Sequence, residues 1–240
     1  MSRKPTKPRP LWLSLLVNML AALIVVALVQ AFLVKAYRVP SASMEQTLQS
    51  VDGGGDRMLV NRAAYLSGEP SRGDVVVFTR PDSWATETPT GTSVGLGALV
   101  RTFGDLTGIG PSNEQYLVKR IVAVGGDNVS CCDADGRLVI NGEPVDEPYV
   151  FEDFPYVQGQ LDCSSEVRSA RCFPDFTVPE GHLMALGDHR SQSSDSAFLC
   201  RTSGSPPPSP GDCMRTVPSN AVVGHVFLKV WPLNRIGTVD

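Results

Sequence analysis

Residues Leu11 to Val34 form an unbroken run without a charged side chain, in which only Ser14, Asn18 and Gln30 are clearly polar. At 1.5 Å of rise per residue, about 24 helical residues reach roughly 36 Å, more than a hydrocarbon core of about 30 Å. Backbone that crosses lipid must satisfy its own hydrogen bonds, so such a run is read as one transmembrane helix. A cleaved export leader also starts basic and then apolar, but its apolar part is usually about 7–15 residues long. The length here favours a retained anchor, although the small residues of "AFLVKAYRVPSAS" leave cleavage as the competing reading. Arg3, Lys4, Lys7 and Arg9 precede the run with no acid among them. The positive-inside bias therefore puts a basic tail, residues 1–10, in the cytoplasm, the helix over residues 11–34, and residues 35–240 outside. The expected setting is the plasma membrane, crossed once, with the lipid bilayer as a partner.

Without its four tail cations the chain carries 17 basic against 25 acidic residues. A body with that balance is a poor counterion for phosphate backbones, so no nucleic-acid partner is expected. All six cysteines, Cys131, Cys132, Cys163, Cys172, Cys200 and Cys213, fall on the outer side, where disulfides persist. Short loops favour Cys163 with Cys172 and Cys200 with Cys213. Bonding Cys131 to its neighbour Cys132 would strain the link, and free thiols are the simpler expectation there. The chain has neither a CxxC pair nor a Cys/His metal spacing, so no metal site and no cofactor are expected.

Beyond the anchor the apolar signal shortens to strand-like runs: Met58–Val60, Val75–Phe78, Tyr116–Val118, Ile121–Val124, Leu138–Ile140 and Val226–Trp231. Asn141-Gly142, between Leu138–Ile140 and Val145, reads as a hairpin turn. The fold class expected is mainly β, an antiparallel sheet body behind one N-terminal helix. Residues 81–115, rich in Thr, Gly and Ser, and residues 200–218, with Pro206-Pro207-Pro208, read as insertions or loops.

Four segments taken together carry a more specific signal: "PSASMEQTL" at 40–48, "RGDVVVF" at 72–78, "YLVKRIVAVGGD" at 116–127 and "GDHRSQSSDS" at 187–196. In this order, with "WPLNRIG" at 231–237, they resemble the type I signal peptidases, membrane-anchored serine proteases that remove signal peptides from exported proteins. The resemblance implies a nucleophile at Ser43 and a general base at Lys119. It implies an oxyanion hole made by the Ser41 hydroxyl and the Ser43 backbone N–H. Ser193 and Asp195 match positions that orient the lysine and support the site, while Asp188 and Arg190 match a scaffold motif. The implied substrates are the signal peptides of secreted preproteins, with Ala expected at substrate positions −1 and −3. This chain departs from the family pattern at Gln46, Gly125, Gly126, His189 and Ala197. Ala197 stands where an arginine is usual, which puts in doubt an ion pair with Asp195.

The chemistry can be argued without the resemblance. A serine hydroxyl is a weak nucleophile, and Ser-Lys is one recognised way to activate it. A lysine base must be neutral. The ordinary lysine pKa of about 10.4 has to fall by roughly 3, which corresponds to about 4 kcal/mol of selective disfavour for the ammonium. Burial among Val118, Ile121 and Val122 is the expected cause, with a hydroxyl such as that of Ser193 beside the amine. Direct contact with Asp195 would act the other way, so Asp195 is expected behind the lysine rather than on it. His189, next to Asp188, offers a conventional Ser-His-Asp triad as the rival, and local hydrogen bonding in the turn is the more ordinary role for that pair. A self-cleaving repressor-type regulator would share the dyad but would lack an anchor and carry a DNA-binding domain. A single-pass surface module with structural Ser43 and Lys119 is the non-enzyme alternative.

Overall fold

The computed structural model describes residues 10–39, 41–50, 55–84, 115–201 and 209–239. The expected basic tail lies almost wholly outside the described residues. So do most of the 81–115 insertion and much of the 200–218 loop.

Helix α1, Leu11–Phe32, occupies nearly all of the charge-free run and buries none of its residues against the rest of the protein. Its mean hydropathy is 2.6, and it is the candidate membrane span. It ends two residues before the sequence-based limit, because Val34 already belongs to strand β1, Val34–Arg38. Strands β2 (Arg57–Asn61), β3 (Val75–Thr79), β4 (Tyr116–Val124), β5 (Asn128–Cys131), β6 (Leu138–Ile140), β7 (Glu143–Pro144), β8 (Phe173–Thr177), β9 (His182–Leu186), β10 (Val217–Pro218), β11 (Val222–Trp231) and β12 (Gly237–Thr238) follow.

All named pairings are antiparallel, in two sheets. The larger has the order β1-β2-β11-β3-β4-β9-β10, with β12 added to β11, and the smaller has β7-β6-β5-β8. The fold is therefore mainly β with one N-terminal apolar helix, as the apolar runs indicate. Tyr116–Val118 and Ile121–Val124 are two parts of one strand, β4, that continues through Lys119 and Arg120. Asn141 and Gly142 both have positive φ, 54° and 84°, the combination a type I′ hairpin turn needs between β6 and β7.

β4 lies between β3 and β9, away from either edge of its sheet. Three clusters of buried apolar side chains adjoin it. One holds Val39, Met44, Leu48, Met58, Val60, Val75, Val77 and Val118. A second contains Val76, Phe78, Ile121, Leu183 and Ala185. The third joins the two sheets through Val122, Val129, Leu138, Ile140, Phe173, Met184 and Leu186. A central strand buried on both sides is a low-dielectric place for a side chain to sit.

The structure bonds Cys163 to Cys172 and Cys200 to Cys213, the two short-loop pairs. It also bonds Cys131 to Cys132, so the expectation of free thiols there is corrected. The peptide bond between these two cysteines is cis, and their Cα atoms lie 3.0 Å apart, close enough for adjacent sulfurs to meet. The sulfurs of Cys132, Cys163 and Cys172 lie within 4.8 Å of one another, but each is held in a disulfide and none is a thiolate ligand.

Candidate active site

Ser43 lies in a short 3-10 turn, Ala42–Met44, that follows β1. Glu45 N–H closes the turn on the Ala42 carbonyl at 3.0 Å, and Leu48 N–H reaches the Met44 carbonyl at 2.7 Å. Met44 and Leu48 are completely buried, which explains the apolar residue beside the serine. Full burial of such a side chain is worth about 1.5–3 kcal/mol, which helps to hold the turn. Val118, the residue before Lys119, packs in the same cluster as Met44. One apolar cluster thus fixes the chain neighbours of both candidate residues.

The two side chains meet. Lys119 Nζ donates to Ser43 Oγ, and the two residues are only 4% and 6% exposed. Burial is the largest influence on the Lys119 amine and lowers its pKa to about 8; Asp195 and Asp188 pull it upward, and Arg201 pushes it down. Ser41 Oγ stands 3.3 Å from Ser43 Oγ, with its own backbone extended.

Segment 187–196 closes the site from the other side. His189 N–H donates to the Ser43 carbonyl at 3.2 Å. Gly187 passes so close that a Cβ there would collide with the Ser43 carbonyl and the Ser193 side chain, which gives the glycine a packing reason. Asp188 is fully buried and accepts two bonds from Arg120, at 3.0 and 2.9 Å, and one from the Thr47 hydroxyl at 2.6 Å. Arg190 is paired with Glu147 at 3.0 and 2.6 Å, and the Glu147 carboxylate raises its pKa against the opposing effect of burial. Asp188 and Arg190 therefore sit in separate ion pairs that fasten this segment to β4 and to residue 147.

Two expectations need adjustment. Ser193 is buried near Gly187 and Ser43, but its hydroxyl makes no hydrogen bond among the described residues, so the expected contact with the Lys119 amine is not formed. Asp195, in contrast, does have an ionic partner. Arg201 Nη1 lies 3.1 and 3.2 Å from the two Asp195 oxygens, which also accept the N–H groups of Gly187 and Ala197. Ala197 is fully buried against Met184, Leu186, Cys200 and Cys213, a place without room for a long cation. Sequence reading missed Arg201 because its cue was a neighbour two residues from Asp195, whereas the pair closes over six.

The rival triad is not assembled. The His189 ring faces Glu152, at 3.2 Å, and Glu45, at 3.7 Å, and packs edge-on against Phe151. Neither ring nitrogen makes a hydrogen bond among the described residues. A cavity of about 180 Å³ lined by Tyr37, Arg38, Met58, Val77, Tyr116, Leu117 and Val118 opens beside the first apolar cluster, on the strands that lead into Ser43 and Lys119.

Sequence comparison with known proteins gives the family. The family model described as "Signal peptidase, peptidase S26" matches residues 12–231. The signal peptidase I of Mycobacterium tuberculosis is 35% identical over 250 residues, covering 98% of this chain and 79% of that protein. The signal peptidase I of Pseudomonas aeruginosa is 30% identical over 234 residues, covering 87% and 68%. Among solved structures, a signal peptidase I from Enterococcus faecalis V583 aligns with a TM-score of 0.33 at 22% identity, covering 65% of this chain and 96% of that one. With a family match across nearly its whole length and relatives at this level of identity, the chain belongs to the signal peptidase family, peptidase S26, a family of serine peptidases.

Proposed function

We propose that the protein is a membrane-anchored endopeptidase that cleaves N-terminal signal peptides from exported preproteins, with Ser43 as nucleophile and Lys119 as general base. The observation that carries this reading is the buried hydrogen bond between Lys119 Nζ and Ser43 Oγ. With its pKa lowered to about 8 by burial, an appreciable share of Lys119 is neutral at physiological pH, compared with about one in a thousand for a free lysine. The neutral amine takes the Ser43 proton as Oγ attacks the scissile carbonyl, and the resulting ammonium returns that proton to the leaving amine. Water then adds to the acyl-enzyme by the same base. Ser41 Oγ and the Ser43 N–H are assigned to the oxyanion, where charge develops only in the transition state.

The substrate binds extended along the strands near the cavity, where a small side chain such as alanine fits shallow pockets. Residues 1–10 face the cytoplasm, α1 crosses the plasma membrane, and residues 35–240 work outside. The anchor brings enzyme and membrane-inserted substrate together at one surface, a gain in effective concentration rather than in chemistry. Ser193, Asp195, Asp188 and Arg190 are supports of this site. The test is cleavage of a purified preprotein by wild type and by Ser43→Ala with matching melting curves. Turnover by Ser43→Ala at the wild-type rate overturns the reading.

A further inference from the structure

The Cys200–Cys213 disulfide stands between two arginines that reach the same short segment. Arg201, next to Cys200, grips both Asp195 carboxylate oxygens. Arg215, two residues beyond Cys213, donates to the Asp195 carbonyl at 3.1 Å and to the Ser194 hydroxyl at 3.1 Å. Both cysteines are buried in the cluster that includes Ala197, Met184 and Leu186, so the disulfide is fixed in the core rather than dangling from a loop. The Arg201 side chain is 6% exposed and that of Asp195 not at all, which makes theirs a desolvated pair in which either partner alone would be an uncompensated charge.

We infer that Arg201 is a positioning residue that commits the Asp195 carboxylate to itself and away from Lys119, and that the Cys200–Cys213 disulfide holds Arg201 in place to do so. The inference rests on Lys119 acting as the base. Two carboxylates, Asp188 and Asp195, act on that lysine, and each has an arginine of its own: Arg120 for Asp188 and Arg201 for Asp195. Among the described residues the amine's hydrogen-bond partner is the Ser43 hydroxyl, which is neutral. If Arg201 is removed, the carboxylate keeps its two backbone N–H donors but loses its counterion. The ammonium form of Lys119 then becomes the available partner, and the base is held protonated to higher pH.

The experiment is the pH dependence of kcat/KM on a soluble peptide for the wild type, Arg201→Met, Asp195→Asn/Arg201→Met and Cys200→Ser/Cys213→Ser, each with a melting curve. Arg201→Met should move the ascending limb up by about one pH unit, a loss of roughly tenfold below the limb that fades on the alkaline plateau. The double variant, which leaves no unpaired carboxylate, should bring the limb back to its wild-type position or slightly below it, whatever its plateau height. The cysteine variant should move the limb in the same direction as Arg201→Met, by less. A loss in Arg201→Met that is equal at every pH overturns the inference, as does a double variant whose limb stays where the single one put it. A cysteine variant with an unmoved limb overturns the part assigned to the disulfide. If Arg201→Met does not fold, Asp195→Asn alone decides: its limb must move to lower pH, and an unmoved limb overturns the inference. Full turnover by Ser43→Ala would instead strike the dyad itself, a result separate from any shift of the limb.

Discussion

Lys119 and Arg120 are consecutive residues of β4, both cationic and both nearly inaccessible, at 4% and 2% exposure, yet the fold treats their charges in opposite ways. Arg120 receives a fork-to-fork carboxylate partner in Asp188, the Gly73 carbonyl at 2.8 Å, and the face of Tyr149 at 4.0 Å from the ring centroid. Lys119 receives a serine hydroxyl. Successive strand residues leave opposite faces, so a step of one residue is enough to separate these environments. One cation is stabilised as a charge and ties segment 187–196 to the sheet; the other is starved of counterions, which is the condition for a base. The two neighbouring cations thus differ in what meets them: a carboxylate for Arg120, a hydroxyl for Lys119.

Exchanging the two treatments should have the largest effect. Lys119→Arg keeps a cation at the site, but guanidinium stays protonated at any working pH and cannot take the Ser43 proton. Preprotein cleavage should fall by about 10⁴ or more, as in Ser43→Ala, with the Lys119→Arg/Ser43→Ala double scarcely worse because the two act as one unit. Arginine that preserved activity would mean that Lys119 serves only as a charge. Breaking the compensated side comes next. Asp188→Ala strands Arg120 in the core and should destabilise the fold by about 3–5 kcal/mol, read from chemical denaturation, and a change below about 1 kcal/mol would show that the pair is dispensable.

Ser41→Ala removes a donor beside the nucleophile and should lower kcat by about 10²–10³ with little change in KM. A raised KM with normal kcat would place Ser41 in substrate binding instead. The smallest effect concerns stability. Lys119 titrates at about 8 in the folded chain and near 10.4 when unfolded, so between those values the unfolded chain holds a proton that the folded one has released. Stability therefore rises with pH across that window, and the full penalty, up to about 3 kcal/mol, is present below about pH 8. Lys119→Met should melt higher than wild type at pH 7, and the gain should shrink toward pH 10. A gain that is constant with pH would point to packing rather than charge.

The strands that could be read from sequence were those built of valine and isoleucine, such as Val75–Phe78 and Ile121–Val124. β9 was not, because His182-Leu183-Met184-Ala185-Leu186 uses residues that favour helices, and it is a strand only because β4 and β10 pair with it. β8 escaped for a related reason, with Pro174 and Asp175 inside it and β5 as its partner. At the site, the placement of Ser43 against Lys119 follows from short motifs whose neighbours, Met44 and Val118, are apolar. Arg201 was hidden because an ion pair has no periodicity: only the path of the chain through Cys200 brings that cation back to Asp195.

Only Leu33 separates the last turn of α1 from β1, and Arg62 clasps the join, its N–H on the Leu33 carbonyl at 2.8 Å and Nη1 on the Ala31 carbonyl at 2.5 Å. A joint without slack transmits orientation. Any tilt of the helix passes to β1 at the rim of the large sheet, and this strand, about 16 Å long at roughly 3.3 Å per residue, ends just short of the turn that bears Ser43. If Ser43 is the nucleophile and α1 the anchor, as proposed, the strand sets the distance between the cutting atom and the end of the helix. Flexible residues inserted at Leu33 should therefore blur where an inserted substrate is cut before they change how fast a soluble peptide is cut.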